Sequence, residues 1–301
     1  HVVLAIWGVE TDYGRETGGW FIPHAYATLI CAGERRRDFW RGELMAALEL
    51  VDRGDLGLDE LYGSWAGAFG QTQFIPSTYA RLAVDFDGDG RRDLVRAVAD
   101  ALASTANYLD RAGWRTGRPW LIEAQVPADY TGPSGRTAKA SLSSWSARGV
   151  RRADGARIEG EAQAGLLLPA GAEGPAFLVF ANFDAIYSYN HAESYALAIS
   201  HLADRIAGYP ALRTAWPTDD PGLSRAERRR LQASLAKRPG VLDAVLQGDA
   251  VRVVTDAAHP PDCDDLGDSV TCEPVSPRFE DGFIARLKDK QDHAPLPGVA
   301  D

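Results

Sequence analysis

The chain has few of the residues that announce a redox centre or a thiolate metal site. Its 301 residues include three cysteines, six histidines and one methionine. Cys31 sits in a helical stretch and reads as a core residue. Cys263 and Cys272 enclose a short acidic loop. The pair is compatible with a disulfide, which needs an oxidising compartment; metal binding is the less favoured alternative. Basic charge is also in deficit. Thirty-two Lys and Arg face 42 Asp and Glu, a formal net charge of −10, which excludes a general nucleic-acid binder. The local cluster Arg148, Arg151, Arg152 and Arg157 reads as a solvated loop. No apolar run approaches the roughly 20 residues of a membrane-spanning helix. No internal repeat is visible, so a solenoid is excluded. The chain opens on His1 inside an apolar helix. An upstream segment is therefore expected, and a signal peptide or lipid anchor would lie there.

What is present is a globular composition. Hydrophobic residues make up 45% and charged residues 25%, enough for one large domain or two. The first half reads as helices over 24–32, 35–53 and about 95–112, with breaks at Gly33, Gly54 and Gly113. Residues 55–76 read as a Gly- and aromatic-rich loop with short helical turns, and Pro76 opens a further short helix. From 120 to 182 the apolar residues alternate or form short runs. Leu166-Leu167-Leu168 and Phe177-Leu178-Val179-Phe180 flank a Pro- and Gly-containing break, the pattern of a hairpin. A helix returns over about 193–207. The expected fold class is α+β, mainly α, with a small β element. By composition 215–222 is a linker, a capped amphipathic helix starts near Leu223, and the Pro-, Asp- and Gly-rich tail from about 258 is poorly ordered.

One carboxylate stands out. Glu10 follows Val3 and Ile6 at i−7 and i−4, and the face includes Val9. A glutamate closing an apolar face is partly desolvated, which raises its pKa and suits it to general acid work. The bland alternative is a residue that only ends the helix before Asp12-Tyr13-Gly14. A second concentration of signal is the segment Gly63 to Tyr79. Its small residues admit a ligand close to the backbone, its aromatics offer flat faces, and Ser64, Gln71 and Gln73 offer hydrogen bonds. That mixture suits a sugar, and equally a glycine-rich loop packed by aromatics. A third is Asp85-Phe86-Asp87-Gly88-Asp89-Gly90-Arg91-Arg92-Asp93. Oxygen ligands stand at positions 1, 3, 5 and 9 of an EF-hand-like loop, glycine at position 6, and the Arg91 carbonyl at position 7. Position 12, normally glutamate, is Arg96. Three alternating aspartates favour a structural hard cation, Ca²⁺ over Na⁺ or Mg²⁺, against the alternative of a polar acidic turn.

Ala5-Ile6-Trp7-Gly8-Val9-Glu10-Thr11-Asp12-Tyr13-Gly14, the Gly63–Tyr79 segment, the aspartate loop, Ala106-Asn107-Tyr108, Asn182-Phe183 and Tyr189-Asn190-His191 through Tyr195-Ala196 occur in that order. Together they resemble the membrane-bound lytic murein transglycosylase B family over roughly residues 1–210. The resemblance implies a lysozyme-like fold and cleavage of the MurNAc–GlcNAc β-1,4 bond of peptidoglycan, with 1,6-anhydroMurNAc ends. It makes Glu10 the catalytic acid and then base. It gives Ser64 and Asn190 the N-acetyl group, although Trp65 stands where the family has phenylalanine. It places Gln73 and Phe74 along the cleft, and sets Tyr108, Tyr189 and Tyr195 against sugar rings. In the cation loop it adds a late aspartate to Asp85, Asp87, Asp89 and Arg91, for which Asp100 is the nearest match, one residue out of register.

One glutamate suffices because substrate-assisted glycosidases dispense with the second carboxylate. Asp12 reads as a helix-end residue. The expected organisation is a catalytic region over 1–214, with the cation loop at 85–100 and the β region at about 120–182, followed by an extension over 215–301. Leu223–Leu235 resembles the opening of a peptidoglycan-binding module without the rest of its pattern. The implied partner is the peptidoglycan glycan strand, with no nucleic acid and no organic cofactor. The implied state is a periplasmic monomer of a Gram-negative bacterium, anchored to the outer membrane if the upstream segment is lipidated. Two other readings stay open: a lysozyme-type hydrolase and a non-catalytic glycan-binding module.

Overall fold

A computed structural model describes residues 1–32, 36–171, 174–217, 225–247 and 250–256, together with 272, 275 and 281. They fall into two units, 1–30 with 36–217, and 31–35 with 218–301. The chain runs through α1 (Val2–Thr11), β1 (Trp20–Phe21), α2 (Ile22–Ala32), α3 (Arg37–Asp52), β2 (Tyr62–Gly63), α4 (Pro76–Leu82) and α5 (Val98–Arg111). It continues through β3 (Leu121–Gln125), β4 (Gly135–Ser141), α6 (Leu142–Ala147), β5 (Arg151–Arg152), β6 (Gln163–Leu167), β7 (Ala176–Val179), α7 (Ala181–Asn190) and α8 (Glu193–Ile206).

The β region is larger than a hairpin. Five antiparallel strands stand in the order β4-β6-β7-β3-β5. The expected hairpin is its centre, with Leu166 opposite Leu178 and Leu167 opposite Phe177. Alternate residues of a strand face opposite sides, and here both sides are covered. Leu167, Phe177 and Val179 join a core with Ala5 and Ile6 of α1, Phe183 and Ile186 of α7, and Ile199 of α8. Leu166, Leu178 and Ala164 join a second core around the buried Trp145 of α6. Two covered faces explain why these strands are apolar runs with little polar alternation. The indole of Trp145 donates to the Ala164 carbonyl at 2.7 Å, so its one polar atom is satisfied.

The helical core builds the frame of the site. On α1 the buried apolar residues are Val2, Ala5 and Ile6, while Val9 is 43% exposed. The apolar face is therefore rotated from the Val3-Ile6-Val9 line read from the sequence, because α5, α7 and α8 take the Val2–Ile6 side. Glu43, buried on α3, accepts from Ser77 N at 2.9 Å and Ser77 Oγ at 2.6 Å. It supplies from a distance the acceptor that Ile75 before Pro76 lacks, in place of a local cap.

Other expectations change. Cys31 is exposed and free, not a core residue. Small neighbours at Ala32 and Gly33 gave no helical face by which to place it. The basic cluster is a loop only in part: Arg157 lies in an exposed irregular stretch. Arg148 closes α6 and lies over the Trp145 ring at 4.8 Å, and Arg151 and Arg152 form β5. In the second unit α9 (Arg225–Leu235) packs on a hairpin of β8 (Val241–Gln247) and β9 (Ala250–Thr255). Leu235 and Ala244 are buried there. Cys263, residues 218–224 of the linker and helix start, and most of the tail from 258 lie outside the described residues.

Candidate active site

Glu10 sits in the last turn of α1, and the chain leaves that helix sharply. Asp12, Tyr13 and Gly14 all have positive φ, at 47°, 58° and 86°. For the two non-glycine residues this conformation costs about 1 kcal/mol or more each. The turn folds the Tyr13 ring back over the helix, edge-on to Trp7 at 5.4 Å. Gly8 makes room for it: a Cβ there would stand 2.7 Å from Tyr13. Asp12 caps the helix and pairs with Arg15 at 3.3 Å on the surface, the helix-end role expected of it.

Glu10 is partly buried, and its Oε1 accepts the Tyr195 hydroxyl at 2.6 Å. Burial pushes the carboxyl pKa up, and the Tyr195 bond pulls it partly back. Tyr195 is itself held protonated by burial and by the adjacent carboxylate. It therefore acts as a fixed donor to Glu10. This role comes in addition to the sugar-stacking one expected of Tyr195. Its ring lies nearly parallel to Tyr189, at 8° and 6.4 Å.

The other aromatics form a cluster behind this pair. Tyr189 meets Tyr108 edge-on at 4.8 Å, and Phe74 lies 6.0 Å from each. The hydroxyls of Tyr108 and Tyr189 donate to the carbonyls of Ser188 and Thr72, both at 2.7 Å. Their polar ends are engaged by the fold, so they fix the α7–α8 turn and the Thr72–Phe74 segment to one another. Asn190 ends α7, exposed, just before His191 in the left-handed region.

The Gly63–Tyr79 segment is a compact turn structure. Backbone bridges tie Gly63 to Phe69 and Phe69 to Phe74. The Ser64 Oγ accepts from Ala68 N at 3.1 Å, which leaves its hydroxyl proton for another acceptor. Gly67 has φ +89°, and a Cβ there would overlap the Tyr26 ring at 2.1 Å. Gln73, also left-handed at φ 54°, donates through Nε2 to the Thr17 and Gly70 carbonyls at 3.0 and 3.1 Å. Its amide oxygen remains for a ligand. A cavity of about 990 Å³ lined by Trp114, Trp120 and Asp204 contains none of these residues. The chemistry of the Glu10 region, and not cavity volume, marks the candidate site.

The acidic loop brings some of its expected ligands together. Carboxylate oxygens of Asp85, Asp87 and Asp100 lie within 4.8 Å of one another. Asp89 is not in that group, and its Oδ1 accepts the Arg91 backbone N–H at 2.8 Å. The Arg91 guanidinium reaches toward Glu60 at 3.7 Å. Asp93, at position 9, is turned to the loop exit, where its Oδ1 accepts from Val95 N and Arg96 N. Asp100 is 1% exposed and accepts from Phe86 N at 2.8 Å and Asp93 N at 2.9 Å.

The Transglycosylase SLT domain matches residues 1–204. The chain belongs to that family. The SLT domain chain is 38% identical over 208 residues to membrane-bound lytic murein transglycosylase B of Escherichia coli K12, covering 68% of this chain. It spans 56% of that relative's length. Its fold superposes on SltB3 of Pseudomonas aeruginosa, solved in complex with NAG-anhNAM-pentapeptide, with TM-score 0.70 and 44% identity over 82% of this chain and 68% of that one. It also superposes on the lytic transglycosylase Slt35 of Escherichia coli, solved in complex with calcium, with TM-score 0.62 and 36% identity over 68% and 65% of the two chains. The fold is thus α+β, mainly α, of the lysozyme-like kind.

Two features of this SLT domain escaped the sequence reading. The Tyr195–Glu10 bond joins residues 185 apart, and no local pattern encodes it. Gln71, read as a ligand for sugar hydroxyls, is instead bonded into the frame. Its Oε1 accepts from Trp7 Nε1 at 2.9 Å, and its Nε2 donates to the Val95 carbonyl at 3.0 Å. A clue was available: Trp7 is a buried-side indole that needs an acceptor.

Proposed function

We propose that residues 1–214 form a lytic transglycosylase that cleaves the MurNAc–GlcNAc β-1,4 bond of peptidoglycan and leaves 1,6-anhydroMurNAc ends. The observation that carries this reading is Glu10: a desolvated carboxyl group held by one neutral tyrosine, on a chain of this family. Burial raises its pKa, which favours the protonated form that general acid work needs. Glu10 donates its proton to the glycosidic oxygen as the bond from C1 to that oxygen breaks. The substrate's own 2-acetamido carbonyl stabilises C1, as in substrate-assisted glycosidases. The Glu10 carboxylate then takes the proton of the C6 hydroxyl, whose oxygen bonds to C1. Glu10 ends protonated again, and no water is added. Tyr195 donates to the carboxylate in the middle of the cycle. Ser64 and Asn190 would bind the acetamido group, with Gln73 and Phe74 along the cleft and Tyr108 and Tyr189 behind it. The complex of SltB3 with an anhNAM glycan supports this product.

The acidic loop fits a hard cation. Asp85, Asp87 and Asp100 crowd their oxygens together, and none is ion-paired among the described residues. Such a cluster is repulsive unless a cation offsets it. Asp85, Asp87 and Asp100 would hold Ca²⁺, with the Arg91 carbonyl and Asp89 completing the shell. The ion would be structural. The calcium complex of Slt35 supports this assignment. The expected setting is the periplasm. The decisive experiment is digestion of sacculi with mass measurement of the products. Muropeptides lighter than the hydrolysis products by one water support the proposal. Reducing MurNAc ends would replace it with a hydrolase, and binding without turnover would replace it with a glycan-binding module.

A further inference from the structure

Every polar atom of Gln71 is engaged, and its partners lie on two separate parts of the first unit. On one side are the residues that close the acidic loop. The Gln71 backbone N–H donates to the Leu94 carbonyl at 2.8 Å, and Nε2 donates to the Val95 carbonyl at 3.0 Å. On the other side is the helix that carries Glu10. Oε1 accepts from Trp7 Nε1 at 2.9 Å, and the Gln71 carbonyl accepts from Thr11 Oγ1 at 2.6 Å. Trp7 and Thr11 flank Glu10 on α1.

The loop side continues to the proposed cation ligands. Val95 N donates to Asp93 Oδ1 at 2.9 Å, and Asp93 N donates to Asp100 Oδ2 at 2.9 Å. An unbroken chain of hydrogen bonds thus runs from Asp100 through Asp93, Val95 and Gln71 to the last turn of α1. The amide has little freedom to turn away. Gly14, at φ +86°, backs onto it so closely that a Cβ would stand 2.2 Å from Oε1. The last turn of a helix is where its hydrogen bonding is incomplete, and an acid misplaced by about 1 Å can lose on the order of a hundredfold in rate.

We propose that Gln71 is a positioning residue: it ties the Glu10 turn to the acidic loop, so that cation loading of the loop fixes the carboxyl group. The proposal rests on the reading of Glu10 as the acid. Its test therefore includes a readout independent of turnover. Trp7 reports the Gln71 contact, and its emission is isolated as the difference between the protein and its Trp7→Phe variant. Calcium titration of the chelator-stripped protein should change that emission and raise the melting temperature together.

Gln71→Glu keeps an acceptor for Trp7 and loses the donor to Val95. In it, calcium should still raise the melting temperature but no longer change Trp7 emission. Its kcat should fall about tenfold with KM little changed. Gln71→Met, which keeps the shape and loses both side-chain bonds, should behave alike and guards against an effect of the new charge. A Trp7 response to calcium in both variants equal to that of the unaltered protein overturns the proposal. So does a kcat within about twofold of it, or a Trp7 signal that ignores calcium in the unaltered protein. If the unaltered protein gives no anhydro products, the reading of Glu10 fails, and the fluorescence arms still decide whether Gln71 couples the loop to α1.

Discussion

Glu10 and Asp100 are both carboxylates on helices of one domain, and the fold treats them in opposite ways. Asp100 stands in the first turn of α5, and its two oxygens accept from the Phe86 and Asp93 backbone N–H groups. Glu10 stands in the last turn of its helix, where orphan carbonyls make the field unfavourable to negative charge. One of its oxygens accepts from Tyr195, and no hydrogen bond to the other is seen among the described residues. Backbone amides replace the hydration of one acid and leave the other short of it. The first is suited to hold a loop or a cation, the second to hold and release a proton. Burial alone would not separate them; the supply of donors does.

The sharpest way to break this comparison is Glu10→Gln. The substitution keeps the acceptor for Tyr195 and removes the proton. Turnover of sacculi should fall by on the order of a thousandfold or more, while glycan binding and the fold persist. Retained turnover would make Glu10 a structural carboxylate like Asp100.

Tyr195→Phe probes the donor supply and should have the next largest effect. The hydroxyl lowers the Glu10 pKa against the rise from burial. Its loss should move the alkaline limb of the pH–rate profile upward and cut turnover at neutral pH by roughly tenfold to a hundredfold, within the range of general acid–base contributions. An unshifted alkaline limb would show that Tyr195 does not control the proton. Tyr189→Phe, which removes a bond to the Thr72 carbonyl, should change stability more than the pH profile.

The two acids differ just as much in how far the sequence revealed them. The acidic loop is local: Asp85, Asp87 and the glycines are read off one short stretch, the family resemblance adds Asp100, and the structure does bring Asp85, Asp87 and Asp100 together. Asp89 and Asp93, placed by the same spacing, each have an oxygen that accepts from loop amides. The environment of Glu10 is not local. Its donor comes from α8, its frame from Gln71, and its aromatic backing from Phe74, Tyr108 and Tyr189. Periodicity located the helices and the central hairpin because one apolar face or one strand alternation marks each. It missed α7, where a Phe-Asp-Ala-Ile-Tyr run inside a β-rich stretch carries no stop signal. It rotated the face of α1, because Val9 is apolar yet exposed.

The loop side of the comparison is tested by chelation. If Asp85, Asp87 and Asp100 hold calcium, excess chelator should lower the melting temperature by several degrees. Ligand at about 100 times its Kd stabilises by roughly 2.7 kcal/mol, and about 1 kcal/mol moves a domain of this size by some 2–4 °C. Asp87→Ala should abolish the response, because Asp87 makes one internal bond, from Asp89 N, and the loop does not otherwise depend on it. A melting temperature indifferent to chelator would leave the cluster a polar turn.

The smallest effect separates the two acids by sign. Glu10 has a folded-state pKa above its ordinary value of 4.5, with burial as the main cause. A carboxyl group of this kind binds its proton more tightly when folded, so the unfolded chain binds fewer protons and stability falls as pH rises. Below pH 4.5 both states are protonated and the penalty is absent. It grows as pH climbs through the raised pKa and is complete above it. Glu10→Gln should therefore be more stable than the unaltered protein at neutral pH, by about 1 kcal/mol if it follows other relieved active-site compromises. The gain should vanish in acid. Asp100→Asn should show the opposite sign at neutral pH, because an amide presents one acceptor where two backbone N–H groups now converge on two oxygens. Denaturant titrations at pH 4 and pH 7 read both variants. A loss of stability in Glu10→Gln at pH 7 would mean that the charge is welcome there, and Glu10 would lose the desolvation that marks it as the acid.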